Sequence, residues 1–173
     1  MEELIDKAKN GDIYAFTKLI YDIKIDLYKI SRTRLSSVDD IEDAVQETMI
    51  EAFNSIKSLR DNRYFKKWII QILINKCNKI YKKKKKNDIS FENIEAENYF
   101  GYNPIDIVNN NLDFDFMLKS LNYDEKIATV LFYVEDFTTK DISKILKTSE
   151  NTIKSRLRRA KIKMKEDYER RSK

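Results

Sequence analysis

Helix breakers are almost missing from this chain. Its 173 residues include two glycines, Gly11 and Gly101, and one proline, Pro104. A β-rich fold would need turn residues every few positions, and they are not there. Between the breakers, apolar residues recur every three or four positions, the period of an amphipathic helix. With 36% charged residues as well, the composition predicts an all-α protein. The length admits one large or two small domains.

The net charge of +5 hides a block structure. Residues 1–54 carry 7 basic and 12 acidic side chains, net −5, whereas residues 55–86 carry 12 and 1, net +11. Residues 87–137 are net −9 and residues 138–173 net +8. Two positive blocks with an acidic one between them predict two nucleic-acid contacts held apart by a spacer. The predicted organisation is therefore two small helical domains, residues 1–86 and 112–173, joined by an acidic flexible linker at 87–111. That linker contains Gly101, Pro104 and the Asn109-Asn110-Asn111 cluster, and its acids have little helical period.

The C-terminal block has the clearest architecture. Ile142, Ile145 and Leu146 mark one helix, Lys147-Thr148-Ser149 interrupts it, and Ile153, Leu157, Ala160 and Met164 mark a second. Ser149 is a natural N-cap for the second helix. Two helices joined by a three-residue turn form a helix-turn-helix, whose second helix can enter a DNA major groove. Lys154, Arg156, Arg158, Arg159, Lys161, Lys163 and Lys165 supply positive charge for phosphates. A solvated basic helix closing a small bundle is the plainer reading of the same residues. Lys147 occupies a turn position that favours glycine, at a cost of about 1 kcal/mol if left-handed geometry is kept. Upstream, Asn122 with Glu125 predicts a capping box. It opens a supporting helix lined by Ile127, Val130, Leu131 and Val134. A further helix is predicted over Leu112–Leu121.

In the N-terminal part, a short helix over Glu2–Asn10 stops at Gly11. Asp12 caps a longer one with Phe16, Leu19, Ile20, Ile23, Leu27 and Ile30 as its core stripe. The next helix, opened by Asp39 or Asp40, turns Ile41, Ala44, Val45, Thr48, Met49, Ala52 and Phe53 to one side. Its other face sets Ile50 among Asp43, Gln46, Glu47 and Asn54. A lone exposed isoleucine is ordinary, but ringed by polar groups it also has the layout of a protein-docking anchor. After the basic connection Lys57–Arg63, a helix from Tyr64 to about Lys83 is apolar over most of its circumference and must be packed on several sides. Its remaining stripe, Lys67, Gln71, Asn75, Asn78 and Lys82, contains no acid. Beside Tyr64, Trp68 and Tyr81, such a stripe suits single-stranded DNA, where bases stack on rings and amides read base edges. The rings can equally be read as core, Trp68 above all.

Some functions are excluded by what is scarce. With no histidine and one cysteine, Cys77, the chain offers no zinc cluster and no Ser-His-Asp arrangement, and its glycines form no phosphate loop. No catalytic residue, metal or cofactor is predicted, and a lone cysteine fits a reducing cytoplasm. No apolar run approaches the ~20 residues of a membrane span. The acidic opening MEELID does not read as a signal peptide.

Taken together, these segments resemble a bacterial RNA polymerase sigma factor of the extracytoplasmic-function group. AKNGDIYAFTKLI resembles the group's opening helices, and Asp40–Phe53 (DIEDAVQETMIEAF) its polymerase-docking helix. RYFKKWIIQILINKCNKIYKKKKK resembles its promoter-melting helix, with Trp68 and Asn75 on family positions. DFTTKDISKILKTSENTIKSRLRRAKIKMK resembles the region-four helix-turn-helix. The resemblance implies a non-enzymatic transcription initiation factor. Asp40, Asp43, Gln46, Glu47, Ile50 and Asn54 would dock on the clamp helices of core RNA polymerase, whose flap is a second implied contact. Arg60, Arg63, Lys67, Trp68, Gln71, Asn75, Asn78, Lys79 and Lys82 would hold the melted −10 element. Thr139, Ser149, Asn151, Thr152, Lys154, Ser155, Arg156, Arg158 and Arg159 would bind the −35 duplex. Apart from the resemblance, the base-edge chemistry of arginine predicts that Arg156 or Arg159 faces a guanine. An anti-sigma factor is an implied partner, and membrane insertion is not. The chain departs from the family pattern where Tyr123 replaces proline, where Asp136 and Lys147 replace glycine, and where Lys79 replaces aspartate. A free-standing helix-turn-helix regulator, using residues 1–86 for dimerisation or sensing, is the alternative. It leaves the positive block at 55–86 without a role.

Overall fold

The computed structural model describes residues 1–87 and 118–171, and its regular elements there are all helical. The expected linker beyond Asn87 lies outside the described residues. So does most of the helix expected over Leu112–Leu121, of which Leu118 and Lys119 are helical. The chain divides into two compact units, one ending at Gly101 and the other beginning at Tyr102.

In the first unit α1 (Glu2–Lys9) lies on α2 (Ile13–Ser31), and α2, α3 (Val38–Ser55) and α4 (Phe65–Asn87) pack on one another. Gly11, at φ +95°, ends α1. Its N–H donates to the Ala8 carbonyl at 3.0 Å and that of Asp12 to Lys7 at 3.1 Å, the two bonds of a Schellman stop. Asp12 Oδ1 then accepts the Ala15 N–H at 3.0 Å and starts α2. The expected stripe on α2 is buried throughout, and Leu19 and Leu27 are wholly enclosed. Each buried leucine or isoleucine contributes about 1.5–3 kcal/mol. Because α2 and α3 both pack on α4, its Phe65, Ile69, Ile70, Ile72, Leu73, Ile74 and Cys77 are all buried.

Three local expectations are corrected, and one reading left open, that of Tyr81, is decided. Ser37, not Asp39 or Asp40, stands at the N-cap of α3, which puts both aspartates in the first turn, where the helix dipole favours them. Phe53 is exposed, with its ring edge-on to Phe16 at 5.1 Å between centroids. Tyr81 is also exposed, under the Arg34 guanidinium at 3.6 Å. Finally, α4 continues through the lysine run to Asn87, since lysine is a good helix former and no glycine or proline intervenes.

The second unit contains α5 (Tyr123–Tyr133), α6 (Thr139–Ile145) and α7 (Glu150–Arg171), each packed on the other two. The predicted capping box closes α5. The Glu125 N–H reaches Asn122 Oδ1 at 3.0 Å and the Asn122 N–H reaches Glu125 Oε2 at 3.2 Å. Thr138 Oγ1 accepts the Asp141 N–H at 3.1 Å to start α6, and Ser149 Oγ accepts the Thr152 N–H at 3.0 Å to start α7. Between them Lys147 has φ +51°. Its N–H donates to Lys144 and that of Thr148 to Ser143, so a lysine occupies the glycine position of a second Schellman stop. Asp136, after α5, is likewise left-handed at φ +54°. Ile127, Leu131, Ile142, Ile145, Ile153, Leu157 and Ala160 form the core beneath.

Candidate protein-docking and nucleic-acid interfaces

On the inward side of α3, Ile41, Ala44, Val45, Thr48 and Ala52 are buried and Met49 is half-buried, which leaves Asp43, Gln46, Glu47, Ile50 and Asn54 on the outside. Ile50 is 63% exposed. It stands at a shallow cleft lined by Glu47, Glu51, Asn54, Ser55 and Lys76. Lys76 comes from α4, and its ammonium lies 2.7 Å from Glu51 and 3.3 Å from Glu47. Its hydrogen bond to Glu51, together with Glu47, holds the ammonium above the usual lysine pKa despite burial. Asp40 stands apart from this face. It is half-buried, and its Oδ2 accepts from Lys84 at 2.6 Å.

The second surface begins at the connection between α3 and α4, where Leu59 is buried as an anchor and Arg60 is exposed. Asn62 fastens this connection to α1, donating to Asp6 Oδ1 and accepting from Lys9 Nζ, both at 2.6 Å. Arg63 is turned back on Asp61 at 2.8 Å. Along α4, Asn75, Lys79 and Lys82 are exposed, and Lys67, Trp68, Gln71 and Asn78 half-exposed. All seven therefore reach solvent. Trp68 does so with its indole tilted against Phe65, 6.0 Å between centroids. The Lys67 ammonium stands 5.3 Å from the Tyr64 ring, which is 49% exposed.

On the third surface the structure sorts the basic residues of α7 into two groups. Arg156 donates to Asp124 Oδ2 at 2.7 Å, Lys163 to Glu125 Oε2 at 2.7 Å, and Arg159 lies 3.4 Å from Glu125 Oε1. These three, at spacings of three and four, face the N-terminus of α5. Glu125 is buried, which by itself would raise its pKa. Lys163, the Asn122 N–H and Arg159 outweigh that and hold the carboxyl below the usual range. Asn151, Ser155 and Arg158, four and three residues apart, are exposed on another stripe. Lys154 and Thr139 both bind Glu150, at 2.9 and 2.8 Å, which ties α6 to α7 and lowers the pKa of Glu150. Ser149 and Thr152 are hydrogen-bonded to each other at 2.7 Å within the cap.

Two features escaped sequence reasoning. Glu47 and Glu51, four apart, form an acid pair sized for one lysine, a weak signal that could have pointed to Lys76. Glu125 was legible as a cap, but its pairing with a helix some forty residues on was not.

With this geometry in hand, residues 20–87 match the family described as Sigma-70 region 2, and residues 112–164 match Sigma-70, region 4. Among curated proteins, the chain is 29% identical over 147 residues to RNA polymerase sigma factor SigV of Bacillus subtilis, covering 82% of this chain and 83% of that one. It is 27% identical over 173 residues to ECF RNA polymerase sigma factor SigW of the same organism, covering 93% and 92%. The ECF RNA polymerase sigma-E factor of Haemophilus influenzae is 29% identical, with 92% and 90% covered. Two solved structures share the fold. RpoE of Bartonella quintana, in complex with the anti-sigma factor NepR, has a TM-score of 0.73 at 24% identity, covering 91% of this chain and 98% of that one. CnrH, in complex with the cytosolic domain of CnrY, has a TM-score of 0.68 at 20% identity, covering 95% and 94%. The two matched regions define the class, a sigma-70-type protein. Within that class the chain belongs to the extracytoplasmic-function sigma factors. No helix among the described residues is long and apolar enough to cross a membrane.

Proposed function

We propose that this protein binds core RNA polymerase and directs it to specific promoters, taking the −10 element on its N-terminal domain and the −35 element on its helix-turn-helix. The observation that carries the reading is the presence of region 2 and region 4, in that order, in one chain. The α3 face around Ile50, with Asp43, Gln46, Glu47 and Asn54, docks on the clamp helices of the polymerase largest subunit, and the C-terminal domain meets the flap. The exposed stripe of α4, with Arg60 in the preceding connection, holds the melted strand. Asn151, Ser155 and Arg158 present the base-reading side of α7, and Arg156 and Arg159 are held as supports by Asp124 and Glu125. The domains are residues 1–86 and 112–173, joined by 87–111. An anti-sigma protein that covers these faces, in the cytoplasm, regulates the factor. The chain performs no chemistry itself, and the polymerase supplies it.

Co-purification with core polymerase followed by run-off transcription tests the reading. Asp43→Lys should abolish association while changing folding stability by less than about 0.5 kcal/mol, because the site is exposed. Normal transcription by this variant would show the docking assignment to be wrong. Duplex binding with no affinity for polymerase would favour a free-standing regulator instead.

A further inference from the structure

The last turns of α4 are built from five consecutive lysines, Lys82–Lys86, all helical and all exposed. At about 100° per residue, Lys84 points away from the Gln71–Asn75–Asn78 stripe, and there it binds Asp40. The other four fall on the opposite side, within an arc of about 160° that continues the stripe. Among the described residues, none of the four is in an ion pair. Lysines three and four apart on a helix repel each other, so this end of α4 gains from a polyanion laid along it.

From residue 82 to 86 every side chain is an ammonium. A surface for unpaired bases needs rings for stacking or amides for base edges, and α4 has both before residue 82 and neither in this run. Ammonium groups alone bind phosphates and carry no sequence information. The chain also leaves α4 at this end to reach the helix-turn-helix.

We propose that Lys83, Lys85 and Lys86 grip the phosphate backbone of duplex DNA immediately upstream of the melted segment, independently of its sequence. This site lies between the two promoter elements, and the inference rests on the promoter-binding function proposed above. Neither the α3 face assigned to polymerase docking nor the α4 stripe assigned to the melted strand includes these three lysines. Their contribution is to fasten the duplex at the upstream edge of the opening.

The test uses polymerase reconstituted with the full chain, either parent or the triple variant Lys83→Ala, Lys85→Ala, Lys86→Ala. Alanine keeps the helix, which circular dichroism verifies. Three probes are compared: a complete promoter duplex, the same duplex with its spacer sequence scrambled, and a single-stranded oligonucleotide of the melted segment. Removing one lysine–phosphate bond should reduce the steepness of log affinity against log salt by about 0.9. The triple variant should therefore lose about 2.7 on both duplexes and nothing on the single strand, and a triple-arginine variant should restore the slope. An unchanged slope on the duplexes, or an equal loss on the single strand, would overturn the proposal. So would a rise in affinity, the result expected if these lysines hold the acidic stretch that follows them in sequence. Failure of the underlying promoter reading is recognised separately, by a parent complex that binds no promoter.

Discussion

Glu125 offers the sharpest test of how the second unit is held together. Its carboxylate is buried and joins the start of α5 to α7 through Lys163 at 2.7 Å and Arg159 at 3.4 Å, while also closing the capping box. Glu125→Gln keeps the size and one acceptor but removes the charge. Hydrogen bonds to a charged group contribute about 1.5–3 kcal/mol and neutral ones about 0.5–1.5. The Lys163 bond therefore weakens by about 1–1.5 kcal/mol, and the longer Arg159 contact adds a fraction of that. The expected destabilisation is about 2 kcal/mol at pH 7. With an m-value of about 1 kcal/mol per molar urea for so small a unit, the midpoint falls by about 2 M. NMR resonances of Ile153 and Leu157 in the full chain report this unit selectively. Because the folded carboxyl titrates below its unfolded range, its contribution is complete above the ordinary glutamate pKa. It disappears as pH falls through the folded value. The gap between parent and variant should therefore close in acid. Equal midpoints at pH 7, or a gap undiminished at pH 3, would refute the account.

Three further outcomes are expected. Lys147→Gly should stabilise the second unit by about 0.5–1 kcal/mol, since relief of left-handed strain exceeds the extra entropy of an unfolded glycine; thermal unfolding reads it. Asn75→Ala with Gln71→Ala should impair transcription from a duplex promoter more than from a pre-melted template, and equal losses would mean that the amides anchor strands already open. Arg158→Ala should flatten the salt dependence of −35 duplex binding by about 0.9, whereas Arg156→Ala should act mainly through stability, by about 0.2–1 kcal/mol, because it gives up the bond to Asp124. Comparing binding slopes with unfolding midpoints separates the two.

What could be read in advance follows from the range of the interactions involved. Caps and turns are local, so Asp12, Asn122 with Glu125, and Ser149 announced their helix starts, and the strain at Lys147 was visible from one residue in a turn. Burial by helical period was legible too, because α4 could be apolar all round only if it packed on two neighbours. Ion pairs between helices were not legible. Lys76 with Glu47 and Glu51, Lys84 with Asp40, and Arg156 with Asp124 join residues 25 to 44 positions apart, and only the packing angle of two helices brings them together. For that reason Arg156, Arg158 and Arg159 read as one group in the sequence, and the structure divides them.

The same cross-helix pairing alters the electrostatic field that an approaching partner meets on α3. Three carboxylates were expected to give the docking face its negative sign. Asp40 already shares its charge with Lys84, and Glu47 shares Lys76 with Glu51. Among the described residues, Asp43 is the member of that trio with no cation of its own. Long-range attraction of a basic partner falls off within about 10 Å at 0.1 M salt, so on the proposed docking face the steering component of encounter would belong mainly to Asp43. Glu47 would act only at contact, where an incoming cation has to take it from Lys76. Association rate and residence time on this face should thus be controlled by different residues, a separation that the acid count of the helix conceals.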